Sequence, residues 1–161
     1  MEFEQYRTVE FSKTEWVKCI QYEDINGAGR LYGGRLMEWM DQVAGIAATR
    51  HCAGHVTTAA CDDLQFKNAA YINDIVVVIA KVTHVGYSSM EVRTDVYVEE
   101  RETGLRRVIN RAYFTEVHVD EKGRPKKVRF GLDLQSESDK AEWEGALRRR
   151  EIRKLRRTEG F

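Results

Sequence analysis

Between Leu31 and His51 apolar residues recur at three- and four-residue spacing, and no proline interrupts them. At about 100° per residue, Leu36, Met37, Met40, Val43, Ala44, Ala47 and Ala48 share one broad face. Arg35, Glu38, Gln42, Gly45 and Thr49 occupy the other. The pattern predicts one long helix over Leu31–His51, with Asp41 on the seam between the faces. Gly54 stands where a helix commonly stops, and His51 in the last turn suits the negative pole of the helix dipole.

Past that helix the period changes. Val56–Phe66 is rich in Thr, Val and Ala, and Ile75–Ile79 is an unbroken β-branched run, as in a strand covered on both faces. Val92, Thr94, Val96 and Val98 alternate with Arg93, Asp95, Tyr97 and Glu99, the mark of a half-buried strand. A turn at Glu102-Thr103-Gly104 leads to another strand over Val108–Val119, and a further turn follows at Glu121-Lys122-Gly123. Short turns join antiparallel neighbours, so the class is α+β, with an antiparallel sheet wrapped around one long central helix. From Ser136 the pattern is helical again, with Ser136 and Asp139 spaced as a capping box. Trp143, Leu147 and Leu155 form a thin apolar stripe, and Arg148, Arg149, Arg150, Arg153, Lys154, Arg156 and Arg157 make this segment basic. The expected organisation is one domain over residues 1–135 and a helical extension over 136–161.

The 161 residues suit a single core, and 42% hydrophobic content is enough to fill it. A formal net charge of zero gives no global electrostatic case for nucleic acid or an acidic membrane. Cys19, Cys52 and Cys61 are an odd set without close pairing, which fits reduced thiols in a cytoplasmic protein better than a disulfide framework. The start is acidic and lacks the order of a signal peptide, and no run nears the roughly 18 apolar residues of a membrane span.

Chemistry concentrates in Asp24-Ile25-Asn26-Gly27-Ala28-Gly29-Arg30-Leu31-Tyr32-Gly33-Gly34 and the Asp41 that follows. Asn26-Gly27 is by itself a turn, and Gly33-Gly34 a tight entry to a helix. Free N–H groups at a helix start carry partial positive charge, and glycines there let a substrate carbonyl approach the backbone. That is the recipe for an oxyanion hole. Asp41, at the edge of an apolar face, is placed to serve as a base. No metal site is expected: His51-Cys52-Ala53-Gly54-His55 has no second cluster to complete a shell. Cys61 inside a strand is a core residue, and neither a Gly-x-Ser-x-Gly elbow nor a nucleotide-binding glycine loop is present.

Asp24–Asp41, then Ala44–Cys52, Val56-Thr57-Thr58 and Leu64-Gln65-Phe66, together with Gly86-Tyr87-Ser88-Ser89-Met90, resemble the hotdog-fold acyl-CoA hydrolases. The likeness is to the broad-specificity bacterial group related to the tandem-hotdog brain acyl-CoA hydrolase, and it runs over roughly residues 5–158. The resemblance implies a sheet curled round the helix, protomers paired through their sheets, and three such dimers in a hexamer. It implies hydrolysis of fatty acyl-CoA to free CoA and a carboxylic acid, with no cofactor, since CoA is part of substrate and product. An asparagine matching Asn26 of one subunit and an aspartate matching Asp41 of the other would share a site. Amides near Gly33 and Gly34 would polarise the thioester. Two prolines common in the family are missing, at Gln21-Tyr22-Glu23 and at Lys67-Asn68-Ala69, which bears on loop rigidity and chain preference. Candidate CoA contacts are Gly86, Tyr87, Ser88 and Ser89, with Arg50, Lys67 and the arginines from 148 onward as phosphate partners. The competing function is a non-catalytic acyl-CoA-binding hotdog protein.

Overall fold

The computed structural model describes residues 3–160. The chain runs β1 (Gln5–Thr8), α1 (Val9–Ser12), β2 (Thr14–Cys19), a 3-10 turn (Tyr22–Asp24) and α2 (Gly33–Cys52). It continues through β3 (His55–Phe66), β4 (Ile75–Val85), β5 (Ser89–Glu99), β6 (Arg106–Val119), β7 (Phe130–Asp133) and α3 (Glu137–Glu159). Five strands form an antiparallel sheet in the order β2-β4-β5-β6-β3, and β1 and β7 make a separate parallel pair. The helix α2 contacts all five strands of the large sheet. Strands about 4.8 Å apart can all reach one helix about 10 Å across only if the sheet curls round it. This is the α+β hotdog arrangement that the sequence predicts.

The face of α2 that the sheet covers is Leu36, Trp39, Met40, Val43, Ala44, Ala47, Ala48 and His51. Met37, expected on it, is 38% exposed, and Trp39 takes its place, edge-on to Trp16 of β2 with ring centroids 5.6 Å apart. Ala44, Ala47 and Ala48 are fully buried, and small side chains there let the helix lie close to Val78, Val82, Val92 and Val96 of the core. The helix begins two residues later than the pattern suggests. Leu31 and Tyr32 are extended because the Leu31 N–H donates to the Ala70 carbonyl and the Tyr32 N–H to that of Asp24, both at 2.8 Å. Gly33 and Gly34 are therefore the first residues of the helix and not a loop before it.

The far end of α2 also differs from expectation. The left-handed residue that stops the helix is Ala53 (φ 54°), its N–H donating to Thr49. Gly54 answers a different need: a Cβ there would sit 2.4 Å from His118 Nε2. His51 is fully buried, its Nε2–H donating to the Phe130 carbonyl at 3.2 Å. Burial pulls its pKa down to about 4, so it is neutral and brings no charge to the helix pole. Arg7 does so instead, donating to the Arg50 and His51 carbonyls at 2.6 and 2.8 Å while lying 3.6 Å from the Phe130 ring centroid.

The sheet's other face carries α3. Ser136 and Asp139 cap each other reciprocally, as their spacing predicts. Trp143 packs at 4.2 Å from the His84 ring. Leu147 and Leu155 do not complete an apolar stripe, being 42% and 49% exposed. The docked face is cationic. Arg149 grips Glu91 of β5 with two hydrogen bonds (3.0 and 2.7 Å) and stacks 3.5 Å over the Tyr113 ring; Arg153 pairs with Asp62 of β3. Arg93 joins Asp95 on its own strand to Glu142 of α3. Carboxylates projecting from outward positions of β3 and β5 thus select arginines over leucines as the contact. Among the described residues no helix is long and apolar enough to cross a membrane.

Arg149→Leu should remove about 3 kcal/mol of stability, because Glu91 is 4% exposed and would keep only Thr83 as a partner. Urea denaturation at fixed protein concentration checks this, and adding Glu91→Gln should restore part of the loss.

Candidate active site

The loop before α2 is built on Asp24, which is fully buried. Its carboxylate accepts from the Gln21 N–H at 2.9 Å and lies 3.2 Å from Lys18 Nζ and 3.4 Å from Arg35 Nε. Asn26 follows in an Asx turn. Its Oδ1 accepts from the Ala28 and Arg30 N–H groups at 2.9 and 3.2 Å, which leaves the Nδ2 donor free for something else. Among the described residues no side chain caps α2, and the first N–H to find an acceptor is that of Leu36, on Tyr32. The N–H groups of Gly33 and Gly34 therefore remain open at the positive end of the helix. A Cβ on Gly33 would lie 3.3 Å from the Phe66 ring, so glycine keeps this corner passable. Asn26, Gly33, Leu36, Phe66, Lys67 and Ile109 line a cavity of about 440 Å³.

Asp41 is not in that cavity. Two turns along α2 it is exposed, and its Oδ1 accepts a hydrogen bond of 2.6 Å from the Thr58 hydroxyl of β3. Thr58 Oγ1 is also 3.1 Å from Glu116 Oε1 on β6, the residue opposite it in the strand register. Glu116 is fully buried, and the acid expected at the edge of the apolar face is thus backed by a second one inside it. Burial, opposed by a Thr58 hydrogen bond and reinforced by the Asp41 charge, pushes the Glu116 carboxyl up to about 7. The same cluster reaches Cys61, whose thiol burial and Asp41 push up to about 11, so it is an unreactive neutral thiol.

The segment Gly86-Tyr87-Ser88 is the hairpin turn between β4 and β5. The Gly86 N–H is committed to the Ser89 carbonyl at 2.7 Å, and Tyr87 is 59% exposed. Ser88 and Ser89 line a second cavity of about 400 Å³ together with His84, Arg150, Lys154 and Arg157. The structure therefore joins the hairpin serines to the arginines of α3. Arg50 stays apart: it donates to the Lys13 carbonyl and the Thr14 hydroxyl beside the other end of α2. Glu38 is a surface acid paired with Arg35 at 2.7 Å.

The sequence motifs contain Asp24 and Thr58 without assigning either a role, and they leave out Glu116. Glu116 did leave a trace, since it occupies an inward position on a strand where Ala112 and Phe114 also point inward. Among the described residues no group of three metal-ligating side chains is assembled.

The thioesterase superfamily model matches residues 28–105, from the Asn26 loop to the turn after β5. The chain belongs to the thioesterase superfamily, in its hotdog-fold acyl-CoA thioesterase group. A crystal structure of an apo hexameric acyl-CoA thioesterase is 35% identical, with a TM-score of 0.89 over 94% of this chain and 97% of that one. The acyl-CoA hydrolase of Staphylococcus aureus, solved with butyryl-CoA, CoA and CoA disulfide, is 30% identical with a TM-score of 0.90, covering 96% of this chain and 94% of that one. The acetyl-CoA thioesterase of Rattus norvegicus is 35% identical over 84% of this chain, which spans only 24% of that protein's length.

A carboxyl raised from 4.5 to about 7 binds its proton more tightly in the folded state, so it stabilises the fold at low pH. That contribution falls as pH rises from about 4.5 to about 7. Glu116→Gln should accordingly be more stable than wild type above pH 7, by about 3 kcal/mol, and should flatten that stretch of the stability curve. Urea melts across pH at one protein concentration measure it.

Proposed function

We propose that the protein is an acyl-CoA thioesterase, hydrolysing acyl-CoA to free CoA and a carboxylic acid. The observation that carries this is the short Thr58–Asp41 hydrogen bond at the exposed seam of α2. Support comes from the S. aureus hydrolase, of which alanine variants at an asparagine, an aspartate and a threonine have been solved. Their spacing in that chain, 15 and then 17 residues, is the spacing of Asn26, Asp41 and Thr58 here.

Each group has work that suits its geometry. Thr58 holds Oδ1 of Asp41, and Oδ2 is left to take a proton from water or to attack the thioester carbon. The open N–H groups of Gly33 and Gly34 receive the charge that develops on the carbonyl oxygen. Asn26 has only its Nδ2–H to offer, so it acts as a donor, to the carbonyl or to water. Ser88 and Ser89 with Arg150, Lys154 and Arg157 supply the hydroxyls and positive charge that the CoA phosphates need. Lys67, on the wall of the Asn26 cavity, is a further cation for the same ligand.

Asn26 and Asp41 of one chain do not share a cavity, which favours a site completed by a second subunit. The edge strand β3 has one side unpaired over Thr58, and Met37 and Phe66 expose apolar surface nearby. Pairing β3 strands of two protomers would cover both and bring Asn26 of the partner subunit towards Asp41. Three such dimers would form a hexamer, the assembly named for the apo structure.

Free-thiol release from a panel of short, medium and long acyl-CoAs tests the proposal. Asp41→Asn should lower kcat by at least about 100-fold with little change in KM, and Asn26→Ala by about 100-fold. An inert wild type that still binds acyl-CoA in calorimetry would make this a binding protein, and a fully active Asp41→Asn would remove Asp41 from the mechanism. Light scattering during turnover tests the shared site, which an active monomer contradicts.

A further inference from the structure

Thr58 stands between two acids and has one proton to give. Its oxygen is 2.6 Å from Asp41 Oδ1 and 3.1 and 3.4 Å from the two oxygens of Glu116. The shorter contact identifies Asp41 as the acceptor of the hydroxyl proton. The contact to Glu116 is then attractive only if Glu116 is the donor, as a neutral acid giving its own proton to the Thr58 lone pair. An ionised Glu116 would face that lone pair with nothing between them, or would turn the hydroxyl away from Asp41.

The surroundings favour the neutral acid. Across the strand register Glu116 faces Thr58 on β3 and Met90 on β5, neither of which is charged. Its inward neighbours on β6 are Phe114 and His118, the latter with its Nδ1 turned to the Lys127 carbonyl at 3.1 Å. Cys61 on β3 is a neutral thiol. From α2 the charge that acts on it is the like charge of Asp41, and among the described residues no cation pairs with Glu116. A fully buried carboxyl in such company holds its proton into the neutral range, up to about 7.

We infer that Glu116 is a positioning residue for the hydrolysis: as a neutral acid it donates to Thr58 and commits the Thr58 hydroxyl to Asp41, and as a carboxylate it releases that hydroxyl. The inference rests on Asp41 being the reacting carboxylate. When Glu116 loses its proton, Asp41 loses a fixed orientation and gains a second negative charge beside the place where the thioester carbonyl must itself become negative. Turnover should fall as pH rises through this ionisation, by about tenfold.

The experiment is kcat against pH with butyryl-CoA for wild type, Glu116→Gln, Thr58→Ala and the double variant. Wild type should show a descending limb with a midpoint near pH 7. Glu116→Gln, which keeps a donor to Thr58 and cannot ionise, should lack the limb. In the Thr58→Ala background, Glu116→Gln should have a smaller effect than in wild type, since only the charge of Glu116 is left to act. Parallel pH profiles for wild type and Glu116→Gln, or effects of the two substitutions that simply add, would overturn the inference and leave Glu116 a packing residue. A second readout needs no turnover. The infrared difference spectrum between wild type and Glu116→Gln should contain a protonated-carboxyl band that disappears as pH rises through neutrality, and Asp41→Asn should move that loss to lower pH. A band that is absent, or indifferent to Asp41→Asn, also overturns it. If wild type hydrolyses no acyl-CoA, the thioesterase proposal fails, and the band still decides whether Glu116 and Asp41 are coupled.

Discussion

The contact between α2 and the sheet fixes everything else in the molecule. Ala44, Ala47 and Ala48 have no exposed surface, and the helix reaches all five strands. A helix enclosed in this way has three regions left for chemistry: its first N–H groups, its last carbonyls, and any stripe the sheet fails to cover. The structure uses all three. Gly33 and Gly34 leave the N–H groups open, Arg7 satisfies the carbonyls, and the uncovered stripe carries Asp41. Burial of the apolar face and placement of the carboxylate are thus one constraint, because a shift in how the helix lies would move both.

Burial, on either face of the sheet, divides the acids into those with a cation beside them and one without. Asp24, Glu91 and Glu116 are all within 4% of full burial. Asp24 has Lys18 and Arg35, and Glu91 has Arg149. These three pairs are structural: the two of Asp24 shape the loop that carries Asn26, and that of Glu91 ties α3 to the sheet. Glu116 has a hydroxyl and, among the described residues, no cation, and it lies next to the candidate reaction centre. An unpaired buried acid costs stability, and its position beside Thr58 and Asp41 is where such a cost has a functional counterpart.

The helix, the four long strands of the sheet and the capped α3 were legible because each carries a local mark: a helical period, a β-branched run or alternation between turns, or a capping pair. Asp41 was legible for the same reason, as a polar residue on the seam of a helix. The strand β2 was not, since Trp16, Val17 and Lys18 show no clean alternation and its place at the sheet edge is set by pairing with β4. The pole of α2 departs from the pattern because desolvation of His51 outweighs the dipole, and Arg7, which takes that role, lies 43 residues away from Arg50 in the chain. Thr58 and Glu116 meet only through strand register, which local pattern does not encode. The apolar stripe expected on α3 failed because its partners on the sheet, Glu91, Asp62 and Arg93, form a charged surface that no single-helix pattern reveals.

The parallel pairing of β1 with β7 ties residues 5–8 to residues 130–133, across almost the whole length of the hotdog unit. Arg7 lies in the middle of this pair and also holds the end of α2. Fraying from the front of the chain and fraying from the back therefore meet the same fastening, and neither can proceed without freeing the central helix. A unit closed on itself in this way opens all at once instead of peeling strand by strand. Amide hydrogens of the Arg7 segment and of the α2 terminus would then exchange together, as members of one cooperative block.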